Sequence, residues 1–219
     1  MLTEILRELS ASNVVLVAVS KTHPPGRILD LYHSGQRIFG ENRVQEMLEK
    51  HAALPADIEW HLIGHLQTNK VKYIAPFVRM IQSVDSLKLL QEIDKQALKN
   101  GRVIDCLLQF HIAGEETKFG MDLQEATALL ASPEFRNMNN IRICGVMGMA
   151  TFTDDTAQVR SEFRALRAIF ENLKQAFFSG KPYFKEVSMG MSGDWRLAVE
   201  EGSTMVRIGS LIFGDRNKY

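Results

Sequence analysis

An excess of charge of either sign is the first thing this chain lacks. Lys plus Arg number 26 and Asp plus Glu 26. No overall field therefore gathers nucleic acid or an anionic membrane, and only a local anion site stays open. Cysteine is scarce as well. Cys106 and Cys144 both fall in apolar, strand-like runs, and two unpatterned cysteines more often fill a reduced core than form a disulfide or a metal site. Long hydrophobic runs are missing too. Val14–Val19 is too short for a membrane span or a signal segment, and Glu4 and Glu8 interrupt the N-terminus, so a cytoplasmic protein is expected. No tandem repeat, low-complexity stretch or long linker divides the chain. What it does have is 219 residues, 45% of them apolar, enough for one sizeable core.

The hydrophobic pattern alternates short apolar runs with helical stripes. Leu2, Ile5, Leu6 and Leu9 predict a lead-in helix packed on the first strand. Strands are predicted at Leu16–Lys21, Arg37–Gly40, Ile58–Ile63, Val78–Ser83, Val103–Ile112, Ile141–Met147, Lys185–Met189 and Thr204–Ile208. Between them lie helical stretches. One is a polar-faced helix near Thr68–Ile74; another is opened by a capping box of Asp122 and Glu125. The longest carries Val159, Phe163, Leu166, Phe170, Leu173 and Phe177 at spacings of four and three, a core stripe. Eight strands with short connections predict an α/β protein formed as a single (β/α)8 TIM barrel over residues 1–219, with an eight-stranded open sheet as the alternative.

Leu16–Lys21 is a buried strand that ends in a lysine, and Thr22-His23-Pro24-Pro25-Gly26 stops it. Barrels place their chemistry at such carboxyl ends. A lysine half-withdrawn from water loses its charge more readily, and its neutral amine can attack an aldehyde; alternatively Lys21 merely snorkels to solvent. Closure of a barrel makes strands one, seven and eight neighbours. That brings Lys21 beside Ser188-Met189-Gly190-Met191-Ser192-Gly193-Asp194 and Arg207-Ile208-Gly209-Ser210. Glycines and serines at helical starts suit an anion, although each turn alone could be a plain tight turn. Together they describe a site for a phosphorylated aldehyde. Arg207 shares a strand face with Met205 and Gly209. Pointing inward, its charge either forms an ion pair with an acidic loop residue or donates to a bound ring.

Five blocks, quoted as they stand, carry a resemblance to a known family. They are Ala18-Val19-Ser20-Lys21-Thr22; Phe39-Gly40-Glu41-Asn42 with Val44-Gln45-Glu46; Trp60 through Lys70 (WHLIGHLQTNK); Ser188 through Asp194; and Val206 through Gly214. The chain resembles the pyridoxal phosphate homeostasis proteins, the YggS/PROSC family, from the first strand almost to the C-terminus. The resemblance implies a fold-type III barrel, like the N-terminal domain of alanine racemase, that binds pyridoxal 5′-phosphate (PLP) as an internal aldimine on Lys21. It assigns Ser192, Gly209 and Ser210 to the phosphate, Arg207 to the ring nitrogen, and Asn42 and Met189 to the flanks of the ring. The chain departs from the family pattern at His111, where asparagine is frequent in the block ending Lys118-Phe119-Gly120, and at Thr151, where proline is common.

The implied role is a cytoplasmic, monomeric PLP-binding protein of vitamin B6 and amino-acid homeostasis, without catalytic turnover and with PLP-dependent apoenzymes as possible partners. No catalytic or metal-ligating residue is assigned. Barrel enzymes similar to alanine racemase add a β-domain, and Gly214–Tyr219 is expected to be too short to supply one. A guanidinium at the ring nitrogen also cannot accept its proton, which weakens PLP as an electron sink. The alternative is a PLP-dependent racemase or lyase acting on a small amino acid. A Schiff-base aldolase without PLP would need a carboxylate relay beside Lys21, and the neighbouring blocks supply none clearly.

Overall fold

A computed structural model describes residues 2–114 and 119–214; Lys118 and residues 215–219 lie outside them. Eight parallel strands close into a barrel in sequence order: β1 (Val15–Val19), β2 (Ile38–Glu41), β3 (Glu59–Leu62), β4 (Met80–Val84), β5 (Ile104–Phe110), β6 (Ile141–Gly148), β7 (Glu186–Ser188) and β8 (Met205–Ile208). Helices follow the strands: α1 (Leu2–Ala11), α2 (Pro25–His33), α3 (Val44–Ala53), α4 (Val71–Ile74), α5 (Leu87–Lys99), α6 (Leu123–Ala131), α7 (Pro133–Arg136), α8 (Thr156–Phe177), α9 (Trp195–Glu200) and α10 (Ser210–Phe213). The fold is the expected (β/α)8 barrel, and the open sheet is excluded by the β1–β8 pairing, which sets Val17 opposite Arg207.

Strand alternation sorts the side chains into two layers. Ala18, Phe39, Trp60, Ile81, Leu108, Val146 and Val187 face outward into the layer shared with the helices. Val17, Met80, Leu107, Cys144, Met147 and Met205 fill the barrel interior. The stripe of α8 supplies Val159, Phe163, Leu166, Phe170 and Leu173 to the outer layer. Truncating the fully buried Phe163 to alanine would cost about 3–5 kcal/mol. α1 packs Ile5 and Leu9 on Leu16, Trp195, Val206 and Ile208, covering the β8–β1 seam. At the amino ends of the strands, buried Asp105 accepts from Arg142 (2.7 and 3.0 Å) and pairs with Arg79 (3.0 Å), closing the floor with an ion network.

Three expectations change in detail. β1 ends at Val19, so Lys21 lies in the following turn rather than in the strand. The helix near Thr68–Ile74 divides into a 3-10 turn at Thr68–Lys70 and the single-turn α4. A short α7 follows α6, capped by Ser132, whose hydroxyl accepts from the Phe135 amide at 3.2 Å; a proline at its first position suits helix initiation. The capping box of Asp122 and Glu125 forms as expected. Both cysteines are buried thiols. No helix among the described residues is long and apolar enough to cross a membrane.

Candidate functional site

A cleft of about 610 Å³ opens at the carboxyl ends of the strands, and Lys21, Asn42, Ser192, Arg207, Gly209 and Ser210 all line it. Lys21 owes its place to a tight turn. The Ser20 amide still donates to Gly40 in the sheet (3.1 Å), and the His23 amide donates back to the Ser20 carbonyl (3.1 Å). Thr22 within that turn has φ +68°. A β-branched residue in this region costs on the order of 1–3 kcal/mol and persists only where its surroundings hold it.

The surroundings here are a buried ionic group beneath the turn. Lys50 of α3 donates to the Ser20 carbonyl, to Glu41 at the end of β2 and to Glu46 of α3, each at 2.7 Å. The Ser20 hydroxyl donates to Glu41 at 2.6 Å, and the Thr22 amide donates to Glu46. Burial pushes the Glu41 carboxyl above its ordinary range, with Lys50 and Ser20 pulling the other way. The residues on both sides of Lys21 are thus bolted to β2 and α3.

Arg207 comes from β8, next to β1. It is buried, and it donates to the Ser188 hydroxyl (2.6 Å) and the Gly148 carbonyl (2.9 Å). Both hydrogen-bond acceptors are uncharged, and the Asp194 carboxylate in the turn after β7 adds a coulombic attraction to the guanidinium. Burial pushes the guanidinium down to about 10, and it remains a cation at neutral pH.

The third part of the cleft is the pair of turns after β7 and β8. The Gly209 amide donates to the Ser192 hydroxyl at 3.3 Å, tying one turn to the other. Gly190 has φ +95°, and a Cβ there would stand 2.6 Å from that of Ala198, so only glycine lets the first turn pass over α9. Ser210 and Leu211 begin α10, where amides have no acceptor within the helix. The rim is fixed by His23 stacked on Phe213 (4.7 Å between centroids) and by Arg27 donating to the Phe213 carbonyl at 2.9 Å.

Asn42 follows β2, held against the loop after β3. A Cβ on Gly64 would meet the Asn42 carbonyl at 2.3 Å, which requires glycine there. Met189 is placed differently: it is fully buried in the outer layer with Val187 and does not line the cleft. His111 follows β5 and is not part of the lining either. Thr151 is part of it. Its hydroxyl donates to Glu162 (2.7 Å) and accepts from the Gly114 amide (3.2 Å), and its amide donates to Glu162 (2.6 Å). The departure at Thr151 therefore staples the loops after β5 and β6 to α8. Sequence reasoning passed over Glu162 and Lys50. The i, i+4 spacing of Glu46 and Lys50 was a usable signal for the latter.

The family model described as "Alanine racemase, N-terminal domain" matches residues 3–217. A pyridoxal phosphate homeostasis protein of Aquifex aeolicus is 42% identical over 203 residues, 92% of this chain and 86% of that protein. The human protein of the same name is 38% identical over 221 residues, covering 96% of this chain and 80% of its own length. The solved structure of PipY from Synechococcus elongatus with PLP bound is 37% identical, with a TM-score of 0.85, over 98% of this chain and 100% of that one. The Aquifex and human relatives are named as homeostasis proteins rather than enzymes. The chain belongs to the alanine racemase N-terminal domain family and, within it, to the pyridoxal phosphate homeostasis proteins.

Proposed function

We propose that this chain holds PLP in the cleft, with Lys21 as the amine that carries it covalently, and serves PLP and amino-acid homeostasis without catalytic turnover. The observation that carries the reading is the convergence of Lys21, in the turn after β1, and Arg207, on the paired strand β8, with Ser192, Gly209 and Ser210 around one cleft. The donor set fits the cofactor. Ser188 and Gly148 take two of the five N–H groups of Arg207, and a guanidinium at the cleft wall suits an aromatic nitrogen acceptor. Hydroxyls and opening amides at the two turns suit a phosphate.

When bound, PLP supplies an aldehyde for covalent capture by amines and a ring able to delocalise electrons. Lys21 presents its amine from a turn whose neighbours are anchored, so little ordering is left for binding to bring about. Arg207 has no basic lone pair to offer and cannot take a proton from the ring nitrogen; it holds that nitrogen unprotonated. Ser192 and Ser210 would donate hydrogen bonds to the phosphate, and Gly209, without a side chain, would let the backbone approach it. Asn42 stands at the side of the cleft. The proposed state is a monomer organised as one barrel domain, and the buried thiols suit a cytoplasmic setting. Recipients of the cofactor would be PLP-dependent apoenzymes.

Titration of the cofactor-free protein with PLP, followed by visible absorbance, tests the reading. A saturable new band is expected, together with delivery of PLP to an added apoenzyme and unchanged enantiomers in an amino-acid panel. Absence of the band rejects PLP binding; racemised or cleaved amino acids reject the non-catalytic role.

A further inference from the structure

A line of polar side chains crosses the interior of the barrel behind the cleft. Arg207 of β8 donates to the Ser188 hydroxyl of β7 at 2.6 Å. Ser188 donates to Gln82 Oε1 of β4 at 2.7 Å. The Gln82 Nε2 lies 2.9 Å from Nδ1 of His61 on β3 and 3.1 Å from the Met205 sulfur. All four residues are buried, in an interior otherwise filled by methionine, valine, leucine and cysteine. A polar chain in such surroundings is sustained only if each member is satisfied.

The chain has one consistent direction. A guanidinium only donates, so Ser188 accepts from Arg207 and must place its own proton elsewhere. Gln82 Oε1 receives it. That choice turns the Gln82 amide nitrogen towards β3, where it needs an acceptor. His61 Nδ1 can accept only as a lone pair, which fixes a neutral imidazole carrying its proton on Nε2. The opposite amide orientation would set Gln82 N–H against Ser188 and strand the hydroxyl proton in the interior. Burial holds His61 in the neutral form, its pKa lowered to about 3.

We propose that His61, which lies outside the cleft, is a positioning residue for Arg207, acting through Gln82 and Ser188 to fix the guanidinium with its remaining N–H groups towards the cleft. The proposal rests on the reading that the cleft takes PLP with Arg207 at the ring nitrogen. His61 is not part of the cleft lining and is a positioning residue only. Gly148, the second acceptor of Arg207, holds one edge of the guanidinium. The chain of three bonds holds the other.

Two substitutions at His61 separate positioning from mere packing. His61→Gln retains an acceptor for the Gln82 amide, whereas His61→Leu removes it. In His61→Leu, PLP affinity is expected to fall about tenfold, the effect of one well-made buried hydrogen bond, and the ring-nitrogen shift of ¹⁵N-labelled PLP is expected to move. His61→Gln should return both to near the parent values. A crystal structure of each cofactor-free variant gives a readout independent of PLP: Arg207 should leave Ser188 in His61→Leu and stay in His61→Gln. Should His61→Leu fail to fold, Ser188→Ala takes its place, with the same loss of affinity and the same displaced guanidinium expected. An Arg207 that keeps its pose and its ring-nitrogen shift in the folded His61→Leu or Ser188→Ala variant overturns the inference. So does a His61→Gln variant as impaired as His61→Leu. A parent protein that takes up no PLP rejects the proposed function instead, and the cofactor-free structures still decide the positioning role.

Discussion

The Nζ of Lys50 lies 2.7 Å from Oε1 of Glu41, with both side chains almost out of contact with solvent. This pair is the foundation of the turn that presents Lys21, because Lys50 also holds the Ser20 carbonyl and Glu46. A buried pair of this kind contributes little against an apolar replacement of both partners, but removal of one partner strands the other charge. Lys50→Met leaves Glu41 and Glu46 side by side without a cation. The expected loss is about 3–5 kcal/mol, read as a lower midpoint in urea unfolding. Capture of PLP by Lys21 should slow in the fraction that stays folded, since the turn loses its anchor. A variant as stable as the parent would show that the ionic group is not what holds the turn.

Lys21→Ala is expected to leave the barrel intact and to abolish covalent attachment of PLP. The substitution is made in a half-exposed turn residue, so its effect on the unfolding midpoint should be within about 0.5 kcal/mol. Borohydride reduction followed by peptide mapping of the parent protein gives the direct measurement. An adduct found chiefly on Lys118, rather than on the peptide containing Lys21, would sink the assignment.

Ser192 is expected to discriminate phosphate from its absence. Its hydroxyl accepts from the Gly209 amide, which leaves its proton to donate into the cleft. A hydrogen bond to a charged acceptor is worth about 1.5–3 kcal/mol, so Ser192→Ala should weaken PLP binding by roughly tenfold or more while unphosphorylated pyridoxal loses much less. Equal losses for both ligands, measured by calorimetry, would place Ser192 away from the phosphate.

The barrel was legible because each strand and helix declares its period locally. The eight apolar runs and the α8 stripe needed no tertiary information, and the strand order followed from closure. Lys21 and Arg207 were legible for the same reason: one ends an apolar run, and the other interrupts a strand that is otherwise buried. The groups that hold them were not. Lys50 reads as a surface lysine of an amphipathic helix, and nothing local says that β2 carries a carboxylate to meet it. His61, Gln82 and Ser188 stand on β3, β4 and β7, far apart in sequence, and only the register of a closed barrel aligns them. Met189 differs from both. The family resemblance alone assigned it to the flank of the ring, whereas strand alternation sends its side chain outward with Val187.

The buried imidazole of His61 also predicts a pH dependence of stability. Its folded value of about 3 stands against an ordinary 6.5, with burial as the main cause and Arg79 adding to it while Asp105 opposes. Between those values the unfolded chain binds a proton that the folded chain does not, so stability falls as pH falls through this window. Above pH 6.5 the group makes no difference, and at pH 4 the loss reaches about 3 kcal/mol. Glu41 works in the opposite sense: its raised value means that its own penalty eases on acidification. Glu162, which burial raises but bonds from Thr151 and Gln158 lower overall, adds a further loss below the ordinary carboxylate range. The term that belongs to His61 is therefore read as a difference. His61→Gln keeps the acceptor for Gln82 and cannot titrate, so its unfolding free energy between pH 6.5 and 4 should fall less steeply than that of the parent, by about that amount. Parallel curves for the two proteins would mean that His61 takes up its proton in the folded barrel, and a protonated ring could not accept from the Gln82 amide.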